Sequence, residues 1–261
     1  MTTSTSLNSK AYRILSVLLP WTTVALLVAI WAITARAVGV SLIVPTVSET
    51  LQGLGKLLGQ GAFYRALGGT LLRTIAAYLL SMLTASVCAV LAYRYPLVER
   101  AFAPLIAFTR ILPTMSVILV AVIWFAPTTV PILVAWIVLF PMLYTVLLGA
   151  LHGVDPQLVE MAQMYRVPLK TKVTMLYLPE MRIPVLVGVQ TTLGLAFKLV
   201  IAAEVLAQTK DSMGLYMQLG KIYLDMPSLF AWTLVAVVIG GIADAIVGAC
   251  IARARRRRYA N

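Results

Sequence analysis

Runs of about 20 apolar residues alternate along this chain with short intervals that hold most of its Lys, Arg and Pro. A helix needs about 20 residues at 1.5 Å each to cross a bilayer. Six segments qualify: 14–35, 70–92, 103–125, 130–150, 183–206 and 229–252. A short Pro-containing turn around 126–129 separates the third from the fourth, so these two are expected to form an antiparallel hairpin. In the interval 40–69, Pro45, Thr46 and Ser48 precede a helical pattern. It predicts an amphipathic helix with Leu51, Leu54, Leu57 and Leu58 on its apolar face, lying on the membrane surface or against the bundle. No strand-rich stretch and no linker interrupts the pattern. The reading is one all-α, polytopic membrane domain over 1–261.

Composition supports lipid as the solvent. The chain is 61% hydrophobic and 11% charged, with mean hydropathy +0.94; a soluble domain carries about 25% charge. The net charge of +12 would suit nucleic acid, but the basic residues sit at the ends of apolar runs and form no face interleaved with aromatics. Nucleic acid is therefore not an expected partner. Sorted by loop, fourteen Lys and Arg fall on one side and six on the other, with Lys198 inside a span. Arg94, Arg100 and Arg110 are counted with the richer side. By the positive-inside rule that side is cytoplasmic, which places both termini and the interval 155–184 there. The Arg253–Arg258 tail is expected to rest on anionic lipid head groups. The first apolar run lacks a small-residue cleavage site and is expected to stay as a span rather than leave as a signal peptide. Cys88 and Cys250 read as small hydrophobes. His152 is the single histidine and reads as a solvated loop residue. No catalytic or metal-ligating constellation is found.

The interval 155–184 is the longest polar stretch that can reach the cytoplasm. Asp155 is a good N-cap and Pro156 suits the first helical position. Leu158, Val159, Ala162 and Tyr165 recur at helical spacing, which predicts a helix to about Arg166. Pro168 pushes Val167 out of the helical region. A second short helix is expected from Pro168, with Leu169, Val173 and Leu176 on one side, stopping before Pro179. This predicts a helix–turn–helix on the cytoplasmic face.

Among the charges that fall inside spans, Lys198 and Glu204 lie in the fifth and Asp244 in the sixth. Each costs at least about 2.5 kcal/mol at mid-bilayer, so it is expected to face the bundle interior and pair. Lys198 and Glu204 are six residues apart and lean to opposite faces; Lys198 with Asp244 is one candidate pair. These charges either lock helices or line a translocation path, where Lys198 would meet an anionic solute. Gln190, Thr191 and Thr192 mark a path or a dimer seam. Arg73 reads as an interface anchor.

Residues 160–179 resemble the EAA loop of the inner-membrane permease subunits of ABC importers. That pattern is E-A-A, three residues, G, nine residues, I, one residue, L-P. Glu160, Ala162, Leu178 and Pro179 match in register, with Leu176 for Ile and Met161 for the middle Ala. Arg166 stands where the family has Gly, so the turn is expected to be shaped by Pro168 instead. The segments ILPTMSVILVAVIWF, GLAFKLVIAAEVLA and KIYLDMPSLFAW are similar to permeases for sulfonates, taurine and nitrate, and the likeness runs over 45–248. The resemblance implies a type I importer fold of six transmembrane helices with a cytoplasmic coupling helix pair. It implies a second permease copy, an extracytoplasmic binding protein, membrane lipid around the bundle, and a bacterial inner-membrane location. It also implies a separate ABC ATPase seated on Glu160, Met161, Ala162, Met164, Tyr165, Arg166, Leu176, Leu178 and Pro179. The chain has no G-x-x-x-x-G-K-[ST] loop, so ATP and Mg would be held by that partner and no cofactor by this chain. The implied solute is a small organic anion such as a sulfonate, taurine or nitrate. The alternative is an ion-coupled carrier using Lys198, Glu204 and Asp244, which would favour internal repeats; none are found.

Overall fold

The computed structural model describes residues 9–259, with side chains described for Leu19 and 21–256. The residues described are helical apart from short turns. The helices are α1 (Ser9–Val38), α2 (Val47–Leu58), α3 (Gly61–Arg94), α4 (Pro96–Ile111), α5 (Thr114–Trp124), α6 (Val130–His152), α7 (Pro156–Met164), α8 (Leu169–Lys172), α9 (Leu178–Ala207), α10 (Met213–Ile222) and α11 (Met226–Tyr259).

Among the described residues, five helices are long and apolar enough to cross a membrane: α1, α3, α6, α8 with α9, and α11. The expected third span is not one straight helix. It is the pair α4 and α5, bent by 96° between Ile111 and Thr114, and it makes a sixth span only if the bent pair is counted as one. Pro113 causes the break. Its ring excludes Leu112 from the helical region, and Leu112 sits at φ −59°, ψ 124°. Pro104, by contrast, is carried inside α4. The turn before α6 closes with Thr129 N–H on Ala126 O at 2.9 Å. It brings Ile118 and Ala121 of α5 against Val130 and Val134 of α6, with Ala203 and Ala207 of α9 completing the cluster.

The main core lies between α3, α6 and α9. Ala77, Ala85, Ala89 and Ala92 line one stripe of α3. Small side chains let helix backbones approach closely, the usual way helices associate in lipid. Leu139, Leu143, Leu147 and Leu151 of α6 recur every four residues and fill the facing groove, against Ala196, Leu199 and Val200 of α9. Gly188 of α9 abuts the Val146 side chain of α6, where a Cβ would collide. Tyr78 and Thr192 share a buried hydroxyl hydrogen bond of 3.0 Å.

A second cluster joins α2, α3, α10 and α11 around the buried Trp232, which stacks on Phe63 at 5.0 Å and on Tyr216 at 5.4 Å. The amphipathic helix predicted after Pro45 is α2. Thr46 caps it: its hydroxyl accepts Glu49 N–H at 3.2 Å while the Glu49 carboxylate accepts Thr46 N–H at 2.8 Å, a capping box. That amide first, then the Ser41 hydroxyl, holds the Glu49 carboxyl below its ordinary range. The buried face agrees with the leucine face expected only in part, at Leu57 and at Leu54, which packs against the same cluster. Thr50, Gly53 and Leu57 point inward, while Leu51 and Leu58 are exposed. Gly53 decides this rotation, since it lets α2 rest on the Pro227 carbonyl, where a Cβ would come within 3.2 Å. α1 is attached lightly, by Trp31 Nε1–H donating to Pro45 O at 3.1 Å and by Trp31 stacking on Phe230. Most of its described side chains face outward, as lipid contact requires.

Candidate coupling surface and membrane cavities

The α7 segment forms as its grammar requires. The Asp155 carboxylate accepts Gln157 N–H at 2.9 Å, and Pro156 occupies the first turn. At the other end, Val167 N–H reaches back to Ala162 O at 3.0 Å and Arg166 N–H to Gln163 O at 2.9 Å. These are the two bonds of a Schellman motif. Arg166 sits in it at φ +50°, the left-handed position where the family has Gly. Pro168 therefore does not replace the glycine turn; Arg166 adopts the glycine conformation and bears its steric cost. Left-handed geometry costs a non-Gly residue about 1–2 kcal/mol, so Arg166→Gly is expected to raise the stability of the α7 turn by about 1 kcal/mol. Amide hydrogen exchange at Arg166 and Val167 measures it; unchanged or faster exchange would count against a strained turn.

The second expected helix does not stop at Pro179. α8 runs through a wider π-type turn at Val173–Tyr177 directly into α9. Leu178 N–H bonds to Val173 O, one residue further back than in an α-helix. Pro179 has no N–H and its ring would clash with the carbonyl four residues back. The wide turn accommodates both, as such bulges commonly do. The result is one rod, Leu169–Ala207, and not a helix pair lying flat. Tyr177 ties it to α3 through a 3.3 Å hydroxyl contact with Tyr93.

Of the candidate coupling residues, Ala162 is buried and Leu176 is half-buried. Glu160, Met161, Met164, Tyr165, Arg166, Leu178 and Pro179 are exposed. Met164 is 85% exposed, Tyr165 79% and neighbouring Leu169 76%. An apolar patch thus stands at the end of the bundle on the most polar stretch of the chain.

The pathway candidates separate. Glu204 is fully buried and paired with Arg73 at 2.7 Å. Its other oxygen accepts Thr70 Oγ1–H at 2.8 Å and Gly214 N–H at 3.3 Å. Arg73 also donates to Lys210 O at 2.9 Å and Asp211 O at 3.3 Å. Arg73 is therefore not a surface anchor, and Glu204 lines no open path. Together they lock α3 to α9 and to the α9–α10 turn. That turn is tight: Gln208 and Asp211 have positive φ, Ser212 caps α10 at Leu215 N–H, and Thr209 donates to Pro127 O at 2.7 Å. Gly214 is required there because a Cβ would come within 2.7 Å of Val205 N and 2.8 Å of Ile201 O.

Lys198 and Asp244 do not pair. Gln190 Nε2–H instead donates to Asp244 at 3.0 Å, which bridges α9 and α11. Both charges line a groove of about 470 Å³ with Thr233, Gly240 and Gly241. Thr191 belongs to a larger cavity of about 800 Å³ between the α4–α5 break, α6 and α9. His152 is the last residue of α6 rather than a free loop residue; its Nε2 lies 3.8 Å from Glu99 and its ring packs on Tyr93. Cys88 and Cys250 are free thiols. Among the described residues no cluster of His, Cys, Asp or Glu could hold a metal.

Sequence reasoning missed the partnership of Thr70, Arg73 and Glu204, and misplaced Arg110. Thr70 and Arg73 lie three apart on one helix face, a readable signal for a polar patch, but its partner lies 131 positions away. Arg110 does not belong to a loop. It lies at the end of α4 and its Nη2 donates to Thr145 Oγ1 of α6 at 2.7 Å, inside the larger cavity.

Long apolar helices, a broken span and an exposed apolar patch at one bundle end mark a multi-pass membrane protein. The chain belongs to the family of binding-protein-dependent transport system inner membrane components, whose model matches residues 77–256. Probable ABC transporter permease proteins of Brucella melitensis biotype 1 and Brucella abortus are each 24% identical over 210 residues. The match takes in 80% of this chain and 85% and 84% of theirs. Among solved structures, two crystal forms of the MetNI methionine ABC transporter in inward-facing conformations share the fold, with TM-scores of 0.64 and 0.62 at 13% identity. They cover 74% and 73% of this chain and 96% and 95% of theirs. The chain is an ABC importer permease with the type I fold, a transport subunit that does not itself hydrolyse ATP.

Proposed function

We propose that this permease pairs with a second copy in the bacterial inner membrane and is driven by a separate ABC ATPase seated on α7 and α8. In this reading both termini and α7 face the cytoplasm, and an extracytoplasmic binding protein delivers a small organic anion such as a sulfonate, taurine or nitrate to the opposite end. ATP and Mg are held by the partner. The observation that carries the reading is the exposed patch of Met161, Met164, Tyr165 and Leu169, joined to a helix that runs unbroken from Leu169 to Ala207. ATPase closure would push on α7, whose Ala162 is seated inward, and on α8, which is continuous with α9. A push on α8 therefore acts on a helix that lines both membrane cavities.

The ion-coupled alternative is weakened by Glu204. A relay carboxylate has to exchange protons or ions with water, whereas this one is enclosed and held by Arg73 and Thr70. Uptake into inverted and right-side-out vesicles, with radiolabelled taurine, ethanesulfonate and nitrate, separates the two. Uptake is expected to require the ATPase and ATP and to survive a protonophore. Uptake that persists without the ATPase and collapses with the proton gradient would overturn the proposal.

A further inference from the structure

We infer that the cavity of about 800 Å³ between the α4–α5 break, α6 and α9 is an anion-binding chamber whose cationic anchor is Arg110. The inference rests on the importer reading above for the identity of the anion as a transported solute. The volume falls in the range of small-molecule sites, about 300–1,000 Å³. Arg110 is exposed to the cavity and sits back from the bundle end that carries α7. Its acceptor, Thr145, is seven residues before the end of α6, about 10 Å along the helix axis.

The same molecule shows what a structural arginine in its membrane region looks like. Arg73 has a buried carboxylate and two backbone carbonyls as partners and only 14% side-chain exposure. Arg110 opens into a cavity and donates to one neutral hydroxyl; the ion pairs among the described residues, Arg65–Asp211, Arg73–Glu204 and His152–Glu99, leave it out. A guanidinium carries five N–H donors in a planar fork that fits oxyanions two at a time. A charge held within a bundle is expensive and faces a partner or a water-filled cavity. Arg110 therefore has donors to spare, facing a cavity that a solute could enter.

The surroundings suit an anion. α5 begins on the cavity wall at Thr114, with Pro113 as an N-cap that offers no side-chain acceptor, so the positive end of that helix adds to the guanidinium field. Thr191 and Thr145 turn their hydroxyl hydrogens to their own helices, on Val187 O and Pro141 O, which keeps the wall polar without adding charge. Glu180 also lines the cavity. It lies eight residues before Gly188, about 12 Å along α9, and Gly188 abuts Val146 next to Thr145. Glu180 thus stands at the mouth on the α7 side and Arg110 at depth.

The test uses the full chain with its ATPase in lipid nanodiscs, and thermal unfolding with ethanesulfonate, taurine, nitrate and acetate beside choline and dimethyl sulfone. At least one anion is expected to raise the wild-type midpoint saturably, while choline and dimethyl sulfone leave it unchanged. Charge-assisted hydrogen bonds are the strong ones, so Arg110→Gln is expected to weaken the apparent affinity about tenfold or more, and Arg110→Lys to keep part of it. No response to any anion, or an equal response in Arg110→Gln, would sink the chamber. A shift of Arg110→Gln from dimer to monomer with anion binding intact would make the cavity a contact between copies, and also overturn it. ATPase retention, measured on the same variants, reports on the coupling reading separately.

Discussion

Glu204→Ala is expected to remove about 3–5 kcal/mol of stability, the range for breaking a buried ion pair by deleting one partner. The loss exceeds that of a hydrogen bond because the variant strands the Arg73 guanidinium, which is 14% exposed, along with Thr70 and the Gly214 amide. Midpoints of thermal unfolding, followed by size-exclusion chromatography in detergent, measure the loss. Removing both charges tests the mechanism more sharply. A buried pair replaced by apolar groups of similar volume is often neutral, so Arg73→Met with Glu204→Leu is expected to recover much of what Glu204→Ala loses. If the double variant is as unstable as the single one, or if Glu204→Ala is stable, the lock has been misread. A relay carboxylate predicts the opposite pattern: a folded Glu204→Ala protein whose uptake alone fails.

That contrast shows where sequence reading runs out. The spans at 130–150, 183–206 and 229–252 were legible because the membrane sets a length that apolar runs must meet. The start of α7 was legible because Asp155 and Pro156 act on neighbouring residues. The fate of Glu204 was not, since a lone carboxylate in an apolar run looks the same whether it meets water or an arginine 131 positions earlier. Pro113 carried a readable signal for the break in the third span, outweighed by the hydropathy around it. Pro179 carried the opposite signal and misled: a wide turn at Val173–Tyr177 absorbs it. The glycine-like geometry of Arg166 was legible as a family position but not as a conformation, because propensity argues against it.

Tyr165→Ala and Met164→Ala are each expected to weaken ATPase association by about 30-fold, corresponding to the roughly 2 kcal/mol typical of an interface hot spot. Both side chains stand more than three-quarters exposed at the bundle end, so truncation leaves no cavity in the permease itself. Folding should be unaffected, which separates this prediction from the first. Glu160→Arg should go further and abolish uptake while leaving membrane insertion intact, because it reverses a charge in the middle of α7 that is exposed to the partner. Ile242→Ala is the control: it is apolar and 55% exposed, but it lies in the apolar span of α11. Co-purification of the ATPase with each tagged variant gives the readout. Wild-type association and uptake in all three α7 variants would remove the patch from the coupling mechanism. A loss shared by Ile242→Ala would show that the assay reports general apolar contact rather than a docking site.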